Sequence, residues 1–412
     1  MRPRLIVVGA GMAAGRALER LIEADPHAYD ITVFNAEPRG SYNRIMLSPV
    51  LAGEKRFAEI VTHDAAWYAR HGITCRFGER LASIDPAAKI VTAQDGEVLP
   101  YDKLLLATGS APVIIPLPGH EVDGVIAYRD LEDTERMMAM GPGRRVVVIG
   151  GGLLGLEAAA GMAARGAEVT VVHLMGHLME RQLDATAGGM LAESLRGRGI
   201  TVLCGANSRE IAGEAGKVRA LLLDDGTELP CDLLVMAVGI RPNTALAAAA
   251  GIETGRGIIV DDHMRSSAPD ILAIGECVEH RGALFGLVAP CFDQAEVAAQ
   301  TLLGAEAVFT PRDVATQLKV TGCALFSAGD FAAGEERDEI VLHDPLRESY
   351  RRLVLEGDRL IGAVFYGDTR DSAWFLDLIR SGADISAIRE TLIFGPVAQT
   401  VPARPALQGV AA

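Results

Sequence analysis

The sequence predicts an α/β fold built around two units of strand, glycine-rich turn and helix. One unit opens the chain in LIVVGAGMAA, and the other lies near the middle in RVVVIGGGLLGLEAAA. In both, a short aliphatic run typical of a buried parallel strand leads directly into glycines and then into a helical pattern. With 412 residues, 49% of them hydrophobic, the chain has material for two or three domains.

The central unit carries Gly150, Gly152 and Gly155 in G-x-G-x-x-G spacing. The first glycine permits a tight turn, the second lets a pyrophosphate approach the backbone, and the third lets the helix pack closely on the strand. We therefore expect the diphosphate of a dinucleotide at the positive end of this helix, where Leu153 and Leu154 form the first turn.

The opening unit repeats this spacing with Gly9, Gly11 and Ala14, and alanine is an accepted residue in the third place. Met12 and Ala13 begin its helix and are expected beside a second diphosphate. One such fingerprint is weak evidence, but two in one chain support each other.

An acid that binds a ribose diol is expected after the next strand, about 20 residues beyond the glycines. We choose Glu37, which follows the strand over residues 30–34; the alternative is a solvent-facing turn. In the next stretch, SYNRIMLS, Arg44 is either a surface charge or a planar donor to a phosphate or a cofactor edge. A later strand ends in small residues that let the backbone pass close to a bound cofactor, namely Ala107, Thr108 and Gly109.

Composition argues against several other classes. The chain is acidic, with a formal net charge of −15 and both signs spread along it, so a nucleic-acid partner is not expected. It has no uninterrupted apolar run of about 18 residues that would predict a membrane span, and its N-terminus is interpreted as a buried strand, not a signal peptide. Six scattered cysteines without C-x-x-C spacing indicate free thiols in a cytoplasmic setting and no metal site.

The chain resembles the FAD- and NAD(P)H-dependent pyridine nucleotide oxidoreductases with two dinucleotide-binding domains. Within them it is most similar to the flavin portion of assimilatory NAD(P)H nitrite reductase large subunits and of nitrate reductase electron-transfer subunits. The motifs that carry the resemblance extend to about residue 395 and are GAGMAA, ITVFNAEP, YNRIMLS, YDKLLLATGS, GGGLLGLEAA, MERQLD, VGIRPN, DILAIGEC and FGLVAP.

The resemblance implies two Rossmann-like domains of the three-layer ββα type, the second inserted in the first. A C-terminal α+β domain would cover the flavin face, and in this family it often builds a homodimer. We place the FAD-binding domain in residues 1–112 and 244–310, the NAD(P)H-binding domain in 113–243, the C-terminal domain in 311–395 and a flexible tail in 396–412.

Three patterns lie within the C-terminal domain. Alternating apolar residues predict a hairpin that turns at Gly357 and Asp358. Residues 372–382 predict an amphipathic helix. The charged run EERDE at 335–339 is interpreted as a solvated loop.

The resemblance also assigns site residues. The acid after the strand of DILAIGEC binds the ribityl chain of the flavin in this family; it is usually aspartate, and Glu276 after Gly275 replaces it with a longer side chain. Glu157 corresponds to a glutamate near the nicotinamide and is our candidate catalytic residue; alternatively, it only supports the helix dipole. Gly239, in VGIRPN, completes the predicted cofactor contacts.

The implied function is transfer of a hydride from NAD(P)H to FAD, followed by transfer of electrons to a separate iron–sulfur, haem or molybdenum protein of a nitrite or nitrate reductase system. Neighbouring cysteines for dithiol chemistry are absent, as are clustered cysteines for a sirohaem and iron–sulfur centre. One alternative is a ferredoxin or rubredoxin reductase, many of which carry lysine where this chain has Pro49. Another is a non-enzymatic flavoprotein that serves as a redox sensor or scaffold.

Nucleotide choice depends on the residue directly after the strand over residues 168–172. An NADH enzyme normally places a carboxylate there, on the ribose 2′-hydroxyl, whereas this chain has His173. A histidine can donate a hydrogen bond to a hydroxyl, or favour a phosphate when it is protonated. Because no arginine follows before Arg181, we expect weak discrimination with NADH modestly preferred.

Overall fold

The computed structural model describes residues 2–311, 316–320 and 322–396, so residues 397–412 of the predicted flexible tail lie outside it. Up to residue 112 the chain forms, in order, β1 (Arg4–Val8), α1 (Met12–Ala24), β2 (Asp30–Asn35), α2 (Leu47–Leu51), α3 (Ala65–Arg70), β3 (Thr74–Phe77), β4 (Leu81–Asp85), β5 (Ile90–Ala93), β6 (Val98–Pro100), β7 (Lys103–Leu106) and β8 (Ser110–Pro112).

The middle of the chain forms β9 (Val125–Ala127), α4 (Leu131–Met138), β10 (Arg145–Ile149), α5 (Leu153–Ala164), β11 (Glu168–His173), α6 (Ala185–Arg196), β12 (Thr201–Cys204), β13 (Ser208–Glu214), β14 (Lys217–Leu223), β15 (Glu228–Pro230), β16 (Leu233–Met236) and β17 (Ile240–Pro242). The remainder forms α7 (Ala245–Ala249), β18 (Ile258–Val260), β19 (Ile271–Ala273), β20 (Val278–His280), β21 (Ala283–Leu284), α8 (Val288–Leu302), β22 (Thr316–Val320), β23 (Cys323–Gly329), β24 (Arg337–Asp344), β25 (Ser349–Glu356), β26 (Arg359–Tyr366) and α9 (Ser372–Ser381).

The first parallel sheet has the strand order β19-β7-β1-β2-β3. Strand β1 lies at its centre, and Val8 pairs in parallel register with Phe34 on one side and with Leu106 on the other. The turn that follows β1 therefore opens at the carboxyl edge of the sheet, where ligands bind in open α/β folds.

The second parallel sheet, β12-β11-β10-β16-β9, is built from strands that lie between β7 and β19 in the sequence. Its central strand β10 is buried on both faces. Val146 and Val148 pack with residues of α5 and α6, whereas Val147 and Ile149 pack with the antiparallel sheet β13-β14-β15. This alternation produces helix, parallel sheet and antiparallel sheet as three layers.

The segment that leads into the inserted region and the segment that leads out of it lie next to each other. Strand β8 pairs antiparallel with β17, and Ser110 is opposite Pro242. The pairing brings the end of the outgoing segment next to the start of the returning one, which then continues into β19 of the first sheet.

The C-terminal sheet has the order β22-β23-β26-β25-β24 and is antiparallel throughout. The predicted hairpin is confirmed, because β25 and β26 are joined at Gly357 and Asp358. The predicted amphipathic helix is also confirmed as α9. The interpretation of residues 335–339 as a loop is wrong in its second half, since β24 begins at Arg337.

Candidate functional site

The first glycine turn joins β1 to α1 and leaves one position open. Gly9 has a φ of +106°, and a Cβ on it would lie 2.2 Å from the carbonyl oxygen of Ala107. Gly11 has extended backbone at the N-cap of α1, and a Cβ on it would meet no described atom within 4 Å. No described side chain caps this helix. The first-turn residues Met12 and Ala13 follow this uncapped position, and the contact of their backbone N–H groups with a diphosphate stays a prediction, while Ala14 is fully buried.

The second turn, between β10 and α5, has the same division of roles. A Cβ on Gly150 would lie 2.3 Å from the carbonyl oxygen of Ala237, and a Cβ on Gly155 would lie 2.0 Å from that of Gly150. Gly152 is extended, lacks a described side-chain cap, and would place a Cβ in open space. The predicted contacts of the helix start follow it, namely Leu153, half-buried, and Leu154, exposed.

Glu37 follows β2 and is paired in this structure. Its Oε1 accepts a hydrogen bond of 2.6 Å from Nη2 of Arg44, and its Oε2 accepts one of 2.9 Å from the hydroxyl of Tyr42. Nη1 of Arg44 also donates to the carbonyl oxygen of Arg129 at 2.9 Å. Arg44 is thus anchored in the site and is not a free surface charge. Contact of either residue with a cofactor stays a prediction.

The strand that returns to the first sheet brings Gly275 and Glu276 to the same edge. A Cβ on Gly275 would lie 3.2 Å from the Cβ of Ala13, so this turn adjoins the start of α1. Its N–H donates to Oε1 of the fully buried Gln294 at 2.7 Å, and Nε2 of Gln294 has no partner among the described residues. Gly275 has a φ of +87° and lies next to a buried amide donor without a described partner, and this combination fits a polar cofactor at this position.

Two residues of this region were missed from the sequence. Arg129 donates to Oε2 of Glu276, which also accepts a hydrogen bond of 2.7 Å from Ser110. Arg129 belongs to the inserted region, and nothing in its local sequence marks it. Gln294 carries a usable signal, because it is a polar residue on the buried face of the amphipathic helix α8.

The small residues after β7 lie where the chain crosses between the two sheets. Thr108 Oγ1 donates to the carbonyl oxygen of Asn243, and Asn243 Nδ2 donates back to that of Thr108, both at 2.8 Å. Gly109 and Gly239 have φ values of +64° and +121°, and a Cβ on either would meet nothing described within 4 Å. Ala107 precedes them with its carbonyl oxygen against Gly9. The backbone is therefore open here.

Glu157 links the two glycine units. Its Oε2 accepts a hydrogen bond of 2.5 Å from Ser48 Oγ, which lies 3.1 Å from the hydroxyl of Tyr128. Burial raises the pKa of the Glu157 carboxyl group and that of the Tyr128 hydroxyl above their usual values. Glu157 is thus held against a residue of the SYNRIMLS segment, and its catalytic role stays a prediction.

His173 ends β11 with both ring nitrogens engaged. Nδ1 accepts a hydrogen bond of 3.0 Å from the N–H of Gly151, and Nε2 lies 3.0 Å from Oε2 of Glu180. The side chain is 9% exposed. Both ring nitrogens of His173 thus already have a partner in the protein. Contact of His173 with a ribose stays a prediction.

Other chemistry has little support in the described part of the chain. All six cysteines are free. Residues 2–311, 316–320 and 322–396 contain no group of three or more His, Cys, Asp or Glu side chains that could hold a metal ion. Within the same ranges, no helix has the length and apolar character needed to cross a membrane.

The family model described as pyridine nucleotide-disulphide oxidoreductase matches residues 3–301. The chain belongs to this family. A second model, the rubredoxin NAD+ reductase C-terminal domain, matches residues 315–383. Membership in the pyridine nucleotide-disulphide oxidoreductases confirms the predicted resemblance, the oxidoreductase class and the cofactors FAD and NAD(P)H.

Curated relatives of this oxidoreductase extend the comparison. The nitrite reductase [NAD(P)H] of Bacillus subtilis is 44% identical over 97% of this chain and 50% of its own length. The assimilatory nitrate reductase electron transfer subunit of the same organism is 38% identical over 97% of this chain and 53% of its own. The chain therefore spans about half the length of these two relatives.

A solved structure supports the predicted fold class. The ferredoxin reductase of Rhodopseudomonas palustris superimposes with a TM-score of 0.82 at 27% identity, over 95% of this chain and all of that one. The predicted α/β architecture with Rossmann-like cores and a C-terminal sheet domain is confirmed. The boundaries of the FAD-binding, NAD(P)H-binding and C-terminal domains stay predictions.

Replacing Arg44 with alanine is expected to weaken FAD binding in this oxidoreductase. The change removes the cation that bridges Glu37 and the backbone of Arg129. We expect the FAD dissociation constant, measured by fluorescence titration of the apoprotein, to rise about 10- to 100-fold, since a hydrogen bond to a charged group contributes about 1.5 to 3 kcal/mol. Arg56→Ala is the control, because Arg56 is 84% exposed. An unchanged dissociation constant in Arg44→Ala would return Arg44 to a purely structural role.

Proposed function

We propose that the chain is an FAD-dependent NAD(P)H oxidoreductase that passes electrons through FAD to a separate redox protein. The proposed setting is an assimilatory nitrite or nitrate reductase system in the cytoplasm. The names of the two Bacillus subtilis relatives support this setting. Six free thiols support a reducing compartment.

The hydrogen bond between Ser48 and Glu157 carries this proposal. Ser48 belongs to the segment that follows β2 in the first unit, and Glu157 lies in the first turns of α5, directly beyond Gly152. A cofactor bound at the open Gly11 and a nucleotide bound at the open Gly152 would therefore extend towards a shared region. Such proximity is what hydride transfer between two bound groups requires.

When bound, FAD supplies the chemistry, because it accepts a hydride and releases electrons one at a time. Gly11 and the start of α1 would hold its diphosphate, Glu37 its ribose and Glu276 its ribityl chain. Gly152 and the start of α5 would hold the diphosphate of NAD(P)H. Hydride transfer needs no general base from the chain, so Glu157 acts by positioning the nicotinamide.

The domain assignment follows the same division. Residues 1–112 and 244–310 would bind FAD, residues 113–243 would bind NAD(P)H, and residues 311–395 would form an interface domain. The acceptor would be an iron–sulfur, haem or molybdenum protein, since neighbouring cysteines for dithiol transfer are absent from the sequence.

A ferredoxin or rubredoxin reductase is the second candidate. The match of residues 315–383 to the C-terminal domain of rubredoxin NAD+ reductase favours it. Against it, Pro49 stands where many such reductases carry lysine.

The purified protein is expected to be yellow, with tightly but non-covalently bound FAD, and to reduce ferricyanide rapidly with NAD(P)H. The physical reason is that each unit has an open glycine, Gly11 or Gly152, and that the two units are joined by the hydrogen bond between Ser48 and Glu157. Absorbance spectra and ferricyanide turnover measure both properties. Turnover with a nitrite or nitrate reductase subunit but not with rubredoxin supports the first candidate, and the reverse supports the second. A colourless protein that takes up no FAD would contradict both, and FAD binding without ferricyanide reduction would indicate a sensor or scaffold.

A further inference from the structure

The end of β11 is the position at which a dinucleotide-binding unit normally presents a carboxylate to the ribose 2′-hydroxyl. His173 occupies this position and is held on both sides. Because Nδ1 accepts the N–H of Gly151, that nitrogen carries no proton, and the ring proton lies on Nε2 and is donated to Glu180. His173 is therefore a neutral bridge, which offers no positive charge to a 2′-phosphate.

The first glycine unit has a non-acidic residue, Asn35, at the position that corresponds to His173. Val8 pairs with Phe34, and the next residue, Asn35, accepts the N–H of Ala10 on its Oδ1 at 3.1 Å. Ile149 pairs with Val172 in the same way, and His173 then accepts the N–H of Gly151. Both side chains brace the middle residue of a G-x-G turn. In the first unit the acid, Glu37, comes from further along the chain.

Glu180 is fixed beside the second turn by backbone as well as by His173. The N–H of Met179 donates to the carbonyl oxygen of Gly151 at 3.0 Å. Leu178, Met179 and Leu183 are buried, so the segment is packed in place. The Glu180 side chain remains 28% exposed, and its Oε1 has no hydrogen-bond partner within residues 2–311 and 322–396. One carboxylate oxygen thus holds His173, and the other is available to a ligand.

We propose that Glu180 supplies the carboxylate that is missing from the end of β11, and that it selects NADH over NADPH. The inference rests on the proposed nucleotide site at Gly152. One oxygen of Glu180 would accept a ribose hydroxyl of NADH. A 2′-phosphate at the same place would face an anion next to a neutral histidine, and it would be repelled.

The test uses ADP-ribose and its 2′-phosphate as probes, because they carry no nicotinamide and bind without hydride transfer. Calorimetry on the FAD-containing protein should show at least about tenfold tighter binding of ADP-ribose, a difference of about 1.4 kcal/mol. Glu180→Gln keeps the shape of the side chain and removes its charge, so it should reduce this ratio about tenfold. Arg181→Gln is the matched control at the neighbouring exposed position, and the ratio should not fall in it.

The variant His173→Asn separates the contact of this side chain with Gly151 from its contact with Glu180. Asparagine holds the equivalent N–H in the first unit, so the variant should keep the Gly151 contact while it releases Glu180. We expect the same loss of discrimination as in Glu180→Gln, and no further loss in the double variant. A wild-type ratio near one, or an unchanged ratio in Glu180→Gln, would overturn the inference.

The outcomes for the proposed function are distinct. Fragment binding with the expected ratios but no ferricyanide reduction would contradict the oxidoreductase proposal and leave the role of Glu180 supported. Ferricyanide reduction by NADH and NADPH with equal kcat/KM would support the oxidoreductase proposal and contradict the proposed selection of NADH by Glu180. Binding of neither fragment to the wild-type protein would also reject Glu180.

Discussion

Replacing Gly152 with leucine is expected to abolish the use of NAD(P)H while FAD remains bound. The backbone at Gly152 is extended and a Cβ there meets no described atom within 4 Å, so the fold itself tolerates a side chain. The leucine would fill the space through which a diphosphate reaches the first-turn amides of α5. We expect kcat/KM for NADH-driven ferricyanide reduction to fall about 1000-fold, which corresponds to about 4 kcal/mol.

A substitution in the first glycine turn is the matched control for the substitution in the second. Gly11→Leu should give the opposite result, with FAD lost, because Gly11 has the same extended backbone and the same open space. Gly155→Ala should instead lower the melting temperature, since its Cβ would lie 2.0 Å from the carbonyl oxygen of Gly150. If Gly152→Leu lost both cofactors at an unchanged melting temperature, our division between the two sites would be wrong.

Replacing Arg352 with methionine is expected to destabilise the C-terminal sheet and its contact with α6. The Arg352 side chain is 8% exposed and donates to Glu339 at 2.5 Å, to Asp184 at 3.4 Å and to the carbonyl oxygen of Phe331 at 2.9 Å. Without it, Asp184 keeps a largely buried charge. Loss of one partner of a buried pair costs about 3 to 5 kcal/mol, and because Glu339 is 37% exposed we expect about 2 to 3 kcal/mol.

The measurement is the free energy of the first unfolding transition in urea, followed by circular dichroism. Arg347→Met is the matched control, because Arg347 lies in the turn between β24 and β25, pairs with Asp344 and is 85% exposed. An exposed ion pair contributes about 0 to 1 kcal/mol, so this variant should remain close to wild type. Equal losses of unfolding free energy in the two variants would show that the contacts of Arg352 do not stabilise the C-terminal sheet more than an exposed ion pair does.

The segment over residues 174–184 connects these two parts of the molecule. In its middle the N–H of Met179 donates to the carbonyl oxygen of Gly151 in the second glycine turn. At its C-terminal end Asp184 caps α6 through the N–H of Ala187 and accepts a hydrogen bond of 2.7 Å from the hydroxyl of Tyr350. One short segment therefore fixes the position of Glu180 and anchors the C-terminal sheet.

Much of the fold was predictable because it depends on local sequence. The roles of Gly150, Gly152 and Gly155 follow from backbone sterics within six residues, and the structure has the same close and open positions as the spacing predicts. Helix α1 begins at Met12 as predicted, and the hairpin at Gly357 and Asp358 has its predicted turn. Residue periodicity and turn chemistry decide such features before any tertiary contact forms.

The partners within the site were decided by tertiary structure. Arg129 meets Glu276 across 147 positions of sequence, and Ser48 meets Glu157 across 109. The charged run at 335–339 looked like a solvated loop, yet Glu339 lies in a strand that pairs with β25, and its carboxylate accepts a hydrogen bond from the nearly buried Arg352. The sequence determined two glycine turns, two parallel sheets and a C-terminal sheet. Which side chains meet there depended on how the elements pack, because a buried charge or amide is stable only beside a partner that the packing brings to it.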